Sequence, residues 1–158
     1  MRKLLSGGLA VFTGLVSLPA PGSLHAELTP PPKRRNADSR LERLKAFFGK
    51  LDCPAKDYSG DFIVAAELNG LDWRLLPSIS YLESTGGKTA KNNNLFGWNC
   101  GRTGFASASA GIQEVGRRLS RSRLYRSKNL DQLLATYNPT EGYAQRVKNV
   151  MQRIAPAQ

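Results

Sequence analysis

Apolar residues recur at helical spacing along most of this chain, and the stretches between them are rich in Gly, Asn and Pro. Leu41, Leu44, Phe47 and Phe48 form one stripe of a helix that runs from an Asp38 or Ser39 cap to about Lys50. Cys53 to Gly60 reads as a loop, after which Asp61 caps a short, nearly all-apolar helix, Phe62 to Leu68, stopped by Asn69-Gly70. Asp72 caps a third helix, Trp73 to about Ser84, and Pro77, one turn in, removes a backbone bond and predicts a kink. Leu75, Leu76, Ile79, Leu82 and Glu83 share a face of it, so Glu83 points toward the core or its rim. Thr85-Gly86-Gly87 ends this helix, Lys88 to Asn94 is turn-prone, and Leu95 to Trp98 returns to the core.

The same reading places a fourth helix from Ser107 or Ser109 to about Arg121, striped by Ile112, Val115 and Leu119. A fifth follows Asn129, from Leu130 to Tyr137, and a sixth runs from Tyr143 to Ile154 after the turn Asn138 to Gly142. No stretch alternates with a period of two, so strands are few or absent. The expected fold is all-α, one domain over 37–158 of about six short helices around one core.

The N-terminus changes where this domain works. Met1-Arg2-Lys3 is basic, Leu4 to Leu18 is apolar and small, and Pro19 to Gly22 breaks any helix. That layout predicts a signal peptide over 1–26, too short and Gly-rich for a comfortable membrane span, with an uncleaved anchor as the alternative. Residues 27–36 read as a Pro-rich basic linker. An exported, periplasmic or secreted protein follows, with no stable membrane span after cleavage. Export in turn makes Cys53 and Cys100, the only cysteines, a candidate disulfide, with free thiols or a nucleophilic cysteine as the alternatives.

Composition then removes whole classes of chemistry. The single histidine, His25, lies inside the expected signal peptide, so the mature domain has no Ser-His or Cys-His couple and no His-ligated zinc. No metal or cofactor is expected. The formal net charge of +11 favours a polyanionic partner, and for an exported chain the acidic polymers of a cell envelope suit it best. Nucleic acid is not expected, because no basic run is interleaved with aromatics; Arg117 to Arg123 reads as one face of a helix. A monomer is expected.

Glu83 is the residue with most chemical promise. A carboxyl beside Leu82, Ile79 and Phe96 is partly desolvated, which favours its neutral form, the form a general acid needs to protonate a glycosidic oxygen. The bland alternative is a rim glutamate paired with Lys88 or an arginine.

Three motifs, in order, carry a resemblance. Ser80-Tyr81-Leu82-Glu83-Ser84 before Gly86-Gly87 resembles the catalytic-glutamate helix of lysozyme-like peptidoglycan-cleaving enzymes and the Glu-Ser signature of lytic transglycosylases. Asn93-Asn94-Leu95-Phe96-Gly97 is similar to a segment of the bacterial endo-β-N-acetylglucosaminidase family. Tyr137-Asn138-Pro139 with Tyr143-Ala144 matches a Tyr-to-Tyr spacing of that family and is similar to a late Tyr-Asn motif of lytic transglycosylases. The likeness spans Asp61 to Ile154 and implies a lysozyme-like fold.

Carried over, it implies a peptidoglycan hydrolase that cuts β-1,4 bonds between amino sugars, with Glu83 as general acid and Tyr137 across the cleft beside it. Asn93, Asn94 and Trp98 would line the glycan cleft, and Tyr143 would support its wall. The departure from the pattern is the second carboxylate: none lies between Gly86 and Asn99, and Glu141 is the one tempting partner. A single glutamate can still serve, with the substrate's acetamido group as nucleophile or with one residue acting as acid and base in turn. A lytic transglycosylase forming 1,6-anhydro ends, a non-catalytic envelope-binding module on the same fold, and a cationic antibacterial protein are the competing readings.

Overall fold

In the computed structural model, which describes residues 38–156, the apolar stripes become six α-helices and one 3₁₀ turn, with no strand among the described residues. The expected signal peptide and the expected linker lie outside the described residues. The helices are α1 (Ser39–Lys50), α2 (Ser59–Asn69), α3 (Leu75–Ser84), α4 (Ala108–Arg121), α5 (Leu130–Tyr137) and α6 (Tyr143–Ile154). The fold is all-α. No helix among the described residues is long and apolar enough to cross a membrane.

Side-chain caps explain three of the six starts. Asp38, Ser107 and Asn129 each accept a backbone N–H at the start of α1, α4 and α5, and Gln132 answers Asn129 in a reciprocal capping box. Two starts differ from the sequence reading. α2 begins at Ser59, continuing from a 3₁₀ turn over Pro54–Tyr58 where a loop was expected. Asp61 therefore caps nothing, and its carboxylate accepts from Ser109 Oγ at 2.8 Å, joining α2 to α4.

α3 begins at Leu75, because Asp72 closes a separate turn before it: Asp72 Oδ1 accepts from Arg74 N at 2.9 Å. Pro77 is thus the third residue of the helix, where its missing N–H is one that no helix carbonyl could have accepted. The expected interior kink has no cause to form.

The core is built on a line of aromatic rings. Phe47 meets Phe48 at 5.2 Å, Phe48 stacks on Phe62 at 5.9 Å, and Phe62 meets Phe96 edge-on at 6.4 Å. The line runs from α1 through α2 to the loop after α3, so Phe96, fully buried, pins that loop to the core. Burying such a ring contributes about 1.5–3 kcal/mol. α2 packs along α4, and α3 and α5 pack on α6, which brings the end of α3 beside the start of α6.

The end of α3 depends on Gly86. It has φ +59, and a Cβ there would lie 2.8 Å from Cys53 Cβ and 3.1 Å from Phe48. Cys53 is buried in that contact, and burial pushes its thiol up. Cys100 is exposed in the loop on the other side of Trp98 in sequence; both are free thiols, and the disulfide expected between them is not formed in this structure.

Candidate functional site

The carboxyl-terminal turn of α3 delivers Glu83 to the wall of a cleft of about 610 Å³. Phe96 to Cys100 and Thr103 supply one side of the cleft, Arg118 and Tyr125 another, and Tyr137 to Pro139 the third. Three chain regions distant in sequence therefore converge on Glu83.

Glu83 is held by one strong contact. Tyr143 Oη donates to its Oε1 at 2.7 Å from the first residue of α6. Burial, then the hydrogen bond and charge of Glu83, push the Tyr143 phenol up, which keeps it a neutral O–H donor near neutral pH. Oε2 lies against Gly97, whose φ is +58 and where a Cβ would sit 3.1 Å from that oxygen. A side chain there would strain the backbone and crowd the carboxyl at once.

Tyr137 lines the cleft with Glu83, as expected, but its hydroxyl is bonded elsewhere. Its Oη donates to Phe96 O at 2.6 Å, and its ring stacks on Tyr143 at 6.1 Å and 13°. Burial and the charge on Glu83 push this phenol well up too. Tyr143 is thus the tyrosine bonded to the glutamate, whereas Tyr137 lines the cleft and braces the loop carrying Gly97 and Trp98. Trp98, half-buried, meets Tyr137 at 5.8 Å and Tyr125 at 6.4 Å, and the Arg118 guanidinium lies 5.4 Å from its ring centre.

The two asparagines of the Asn-rich loop are turned to the backbone. Asn94 is buried, and its amide donates to Trp98 O at 3.0 Å and Thr103 O at 2.9 Å. Its Oδ1 accepts from Trp98 N at 3.0 Å and Phe96 N at 3.3 Å. That accounts for the donors and acceptors of the amide, and none is left for a sugar. Asn93 sits at φ 59 and donates to Phe105 O at 2.9 Å, outside the cleft lining. Short amide side chains tolerate such left-handed backbone, which is why the turn is rich in them.

Glu141 is exposed and does not line the cleft either; among the described residues Glu83 is the one carboxylate that does. Glu114 is committed to Arg117 and Arg118, whose hydrogen bonds hold it down at about 2.

Two lining residues had no local signal, and two motif residues had a role that their motif did not reveal. Arg118 and Tyr125 reach the cleft from the end of α4 and the turn after it, and only tertiary packing puts them there. Gly97 was legible as part of the Asn93-to-Gly97 motif, but not as the residue facing Glu83. Ser84 follows Glu83 directly: its hydroxyl donates to Leu95 O at 2.8 Å and accepts from Gly87 N at 3.0 Å. It sews the glutamate helix to the loop that faces it.

Chemically, the cleft offers one orientable carboxyl, an aromatic wall suited to a sugar face, and a guanidinium beside the indole. No protein-family model, curated protein or solved structure matches this chain.

Proposed function

We propose that this protein is an exported peptidoglycan hydrolase with a lysozyme-like fold, cutting a β-1,4 bond between amino sugars with Glu83 as its acid. The observation that carries the reading is the hydrogen bond from Tyr143 Oη to Glu83 Oε1 at 2.7 Å on the wall of an aromatic-lined cleft. A donor fixed on Oε1 leaves the transferable proton to Oε2, the oxygen beside Gly97. A glycine at 97 keeps the space beside that oxygen free of a side chain.

Trp98 and Tyr137 supply ring faces for the sugar, and Asn99 and Asn138 supply amides along the same lining. With Glu83 the one carboxylate of the lining, the second step falls either to the substrate's acetamido group or to Glu83 itself returning as base. Where Glu83 as base takes the proton of water, a new reducing end forms; where it takes the proton of the sugar's own C6 hydroxyl and that oxygen bonds to C1, a 1,6-anhydro end forms, so a lytic transglycosylase is the alternative within the same chemistry. The test is mass spectrometry of purified sacculi digested with the mature chain. Soluble muropeptides with a new reducing or anhydro end support an enzyme and name its reaction. Intact strands together with tight binding to sacculi would replace it with a glycan-binding module.

Tyr143 acts through Glu83 and is a positioning residue. Tyr143→Phe removes the bond to Oε1 but keeps the ring stacked on Tyr137. We expect kcat to fall about tenfold with KM little changed, and the acidic or basic limb of the pH–rate profile to move. A drop in thermal stability with an unmoved pH profile would reduce Tyr143 to packing.

A further inference from the structure

The wall of the cleft formed by Arg118 and Tyr125 does not end at the cleft. Residues 117–128 read RRLSRSRLYRSK, in which six of twelve residues are Lys or Arg and none is acidic. Glu114 neutralises part of this charge by pairing with Arg117 and Arg118, and Arg121 spends its guanidinium on Leu68 O at 3.3 Å. Beyond them Arg123, Arg126 and Lys128 are exposed, and no carboxylate among the described residues pairs with them. The nearest acid in sequence, Asp131, is taken by Lys148 at 2.7 Å.

These three cations have a fixed position relative to the site. The segment folds back on itself, with Tyr125 N and Arg126 N both donating to Ser122 O and Lys128 N to Tyr125 O. Tyr125 is the buried residue of 122–128 and faces Trp98 in the cleft. Each of Arg123, Arg126 and Lys128 is within three residues of it, hence within roughly 10 Å along the chain. That is about one Debye length at an ionic strength of about 0.1 M, so their fields overlap around Tyr125. Across the mouth of the cleft, the loop that supplies Asn99, Cys100 and Thr103 adds Arg102, also exposed.

We infer that the cleft opens onto a cationic ridge, Arg123, Arg126 and Lys128, that holds repeating anionic groups on a glycan strand as it leaves the cleft. The inference rests on the proposed glycan-cleaving reading and adds to it the charge of the strand. A neutral amino-sugar polymer satisfies the aromatic wall but leaves the ridge without a partner. A strand bearing a carboxylate or phosphodiester on successive units satisfies both. The arginines suit either anion through their paired N–H groups.

Binding is the readout, measured in the Glu83→Gln background so that nothing is digested. The ligands are an uncharged N-acetylglucosamine oligosaccharide, sacculus strands with intact carboxylates, the same strands with their carboxylates amidated, and strands stripped of phosphodiester polymer. The acidic strands should lose about tenfold in affinity between low salt and about 0.3 M, while the neutral oligosaccharide changes little. Replacing Arg123, Arg126 and Lys128 together by Gln should remove that preference, and Arg123→Lys with Arg126→Lys should retain most of it. Loss of affinity on amidation or on stripping identifies the carboxylate or the phosphodiester as the anion.

Equal salt sensitivity for the neutral ligand, or unchanged acidic-strand binding in the Gln variant, would overturn the inference. So would binding of single-stranded DNA or anionic vesicles as tight as that of the acidic strands. An absence of cleavage products from the wild-type chain would count against the enzyme reading and leave this binding result standing, so the two fail separately.

Discussion

Glu83→Gln is expected to reduce the release of soluble muropeptides from sacculi by about 100-fold to 10,000-fold, the range a positioned general acid contributes. The amide is isosteric with the carboxyl, and its Oε1 can still accept from Tyr143 Oη, so the contact that orients the side chain survives. What it lacks is a transferable proton on the atom beside Gly97. The helical circular dichroism and the thermal midpoint should therefore stay near those of the wild type, and strand binding should persist. Parallel loss of fold and activity would mean that Glu83 serves the structure and would sink its assignment as the acid. Equal activity of both proteins would do the same. The cationic antibacterial reading makes the opposite forecast, killing that survives the substitution and fades with salt.

Asn94→Ala carries the second large effect, and here the expected loss is of structure first. The side chain is buried and bridges Phe96 N, Trp98 N, Trp98 O and Thr103 O. Truncation leaves Phe96 N, Trp98 N and Thr103 O without that partner, while Trp98 O keeps Gly101 N, at a cost of about 2–4 kcal/mol in unfolding free energy. The groups released belong to the segment that carries Gly97 and Trp98, so activity should fall alongside stability, measured by urea unfolding and by sacculus digestion on the same preparation. Asn93→Gly is the control: glycine keeps the left-handed backbone at φ 59, the amide makes one bond to Phe105 O, and its loss should cost about 1 kcal/mol with activity near wild type. If Asn94→Ala kept full stability and raised only KM, the amide would be a sugar ligand after all, and the loop would need another organiser.

The contrast between these two substitutions shows how the motif works. Asn93 and Asn94 look alike in the sequence, yet one supports a left-handed turn and the other is the buried hub of the loop. A similar division separates Tyr137 from Tyr143. Both were legible as site tyrosines, but the hydrogen bonds they make were not: Tyr143 donates to the glutamate and Tyr137 to the loop carbonyl opposite. Their parallel rings make each a support for the other, so a mutation in either will be felt in both.

Local rules were enough for the elements themselves. Apolar spacing and capping residues gave the all-α class and the limits of α1, α4, α5 and α6, because stripes and caps are satisfied within a few residues of one another. They misplaced the starts of α2 and α3, where Asp61 serves a neighbouring helix and Asp72 a separate turn. Glu83 was legible as a chemical candidate because it ends an apolar helix, and Trp98 because it follows the Asn-rich turn. Which oxygen of Glu83 is held, which tyrosine holds it, and that Arg118 and Tyr125 complete the cleft were decided only by the packing of α3 on α6 and by the turn after α4. The physical reason is range: caps and stripes act across one or two turns of chain, whereas the bond from Tyr143 to Glu83 spans a sequence separation of 60 and exists only once the core has closed.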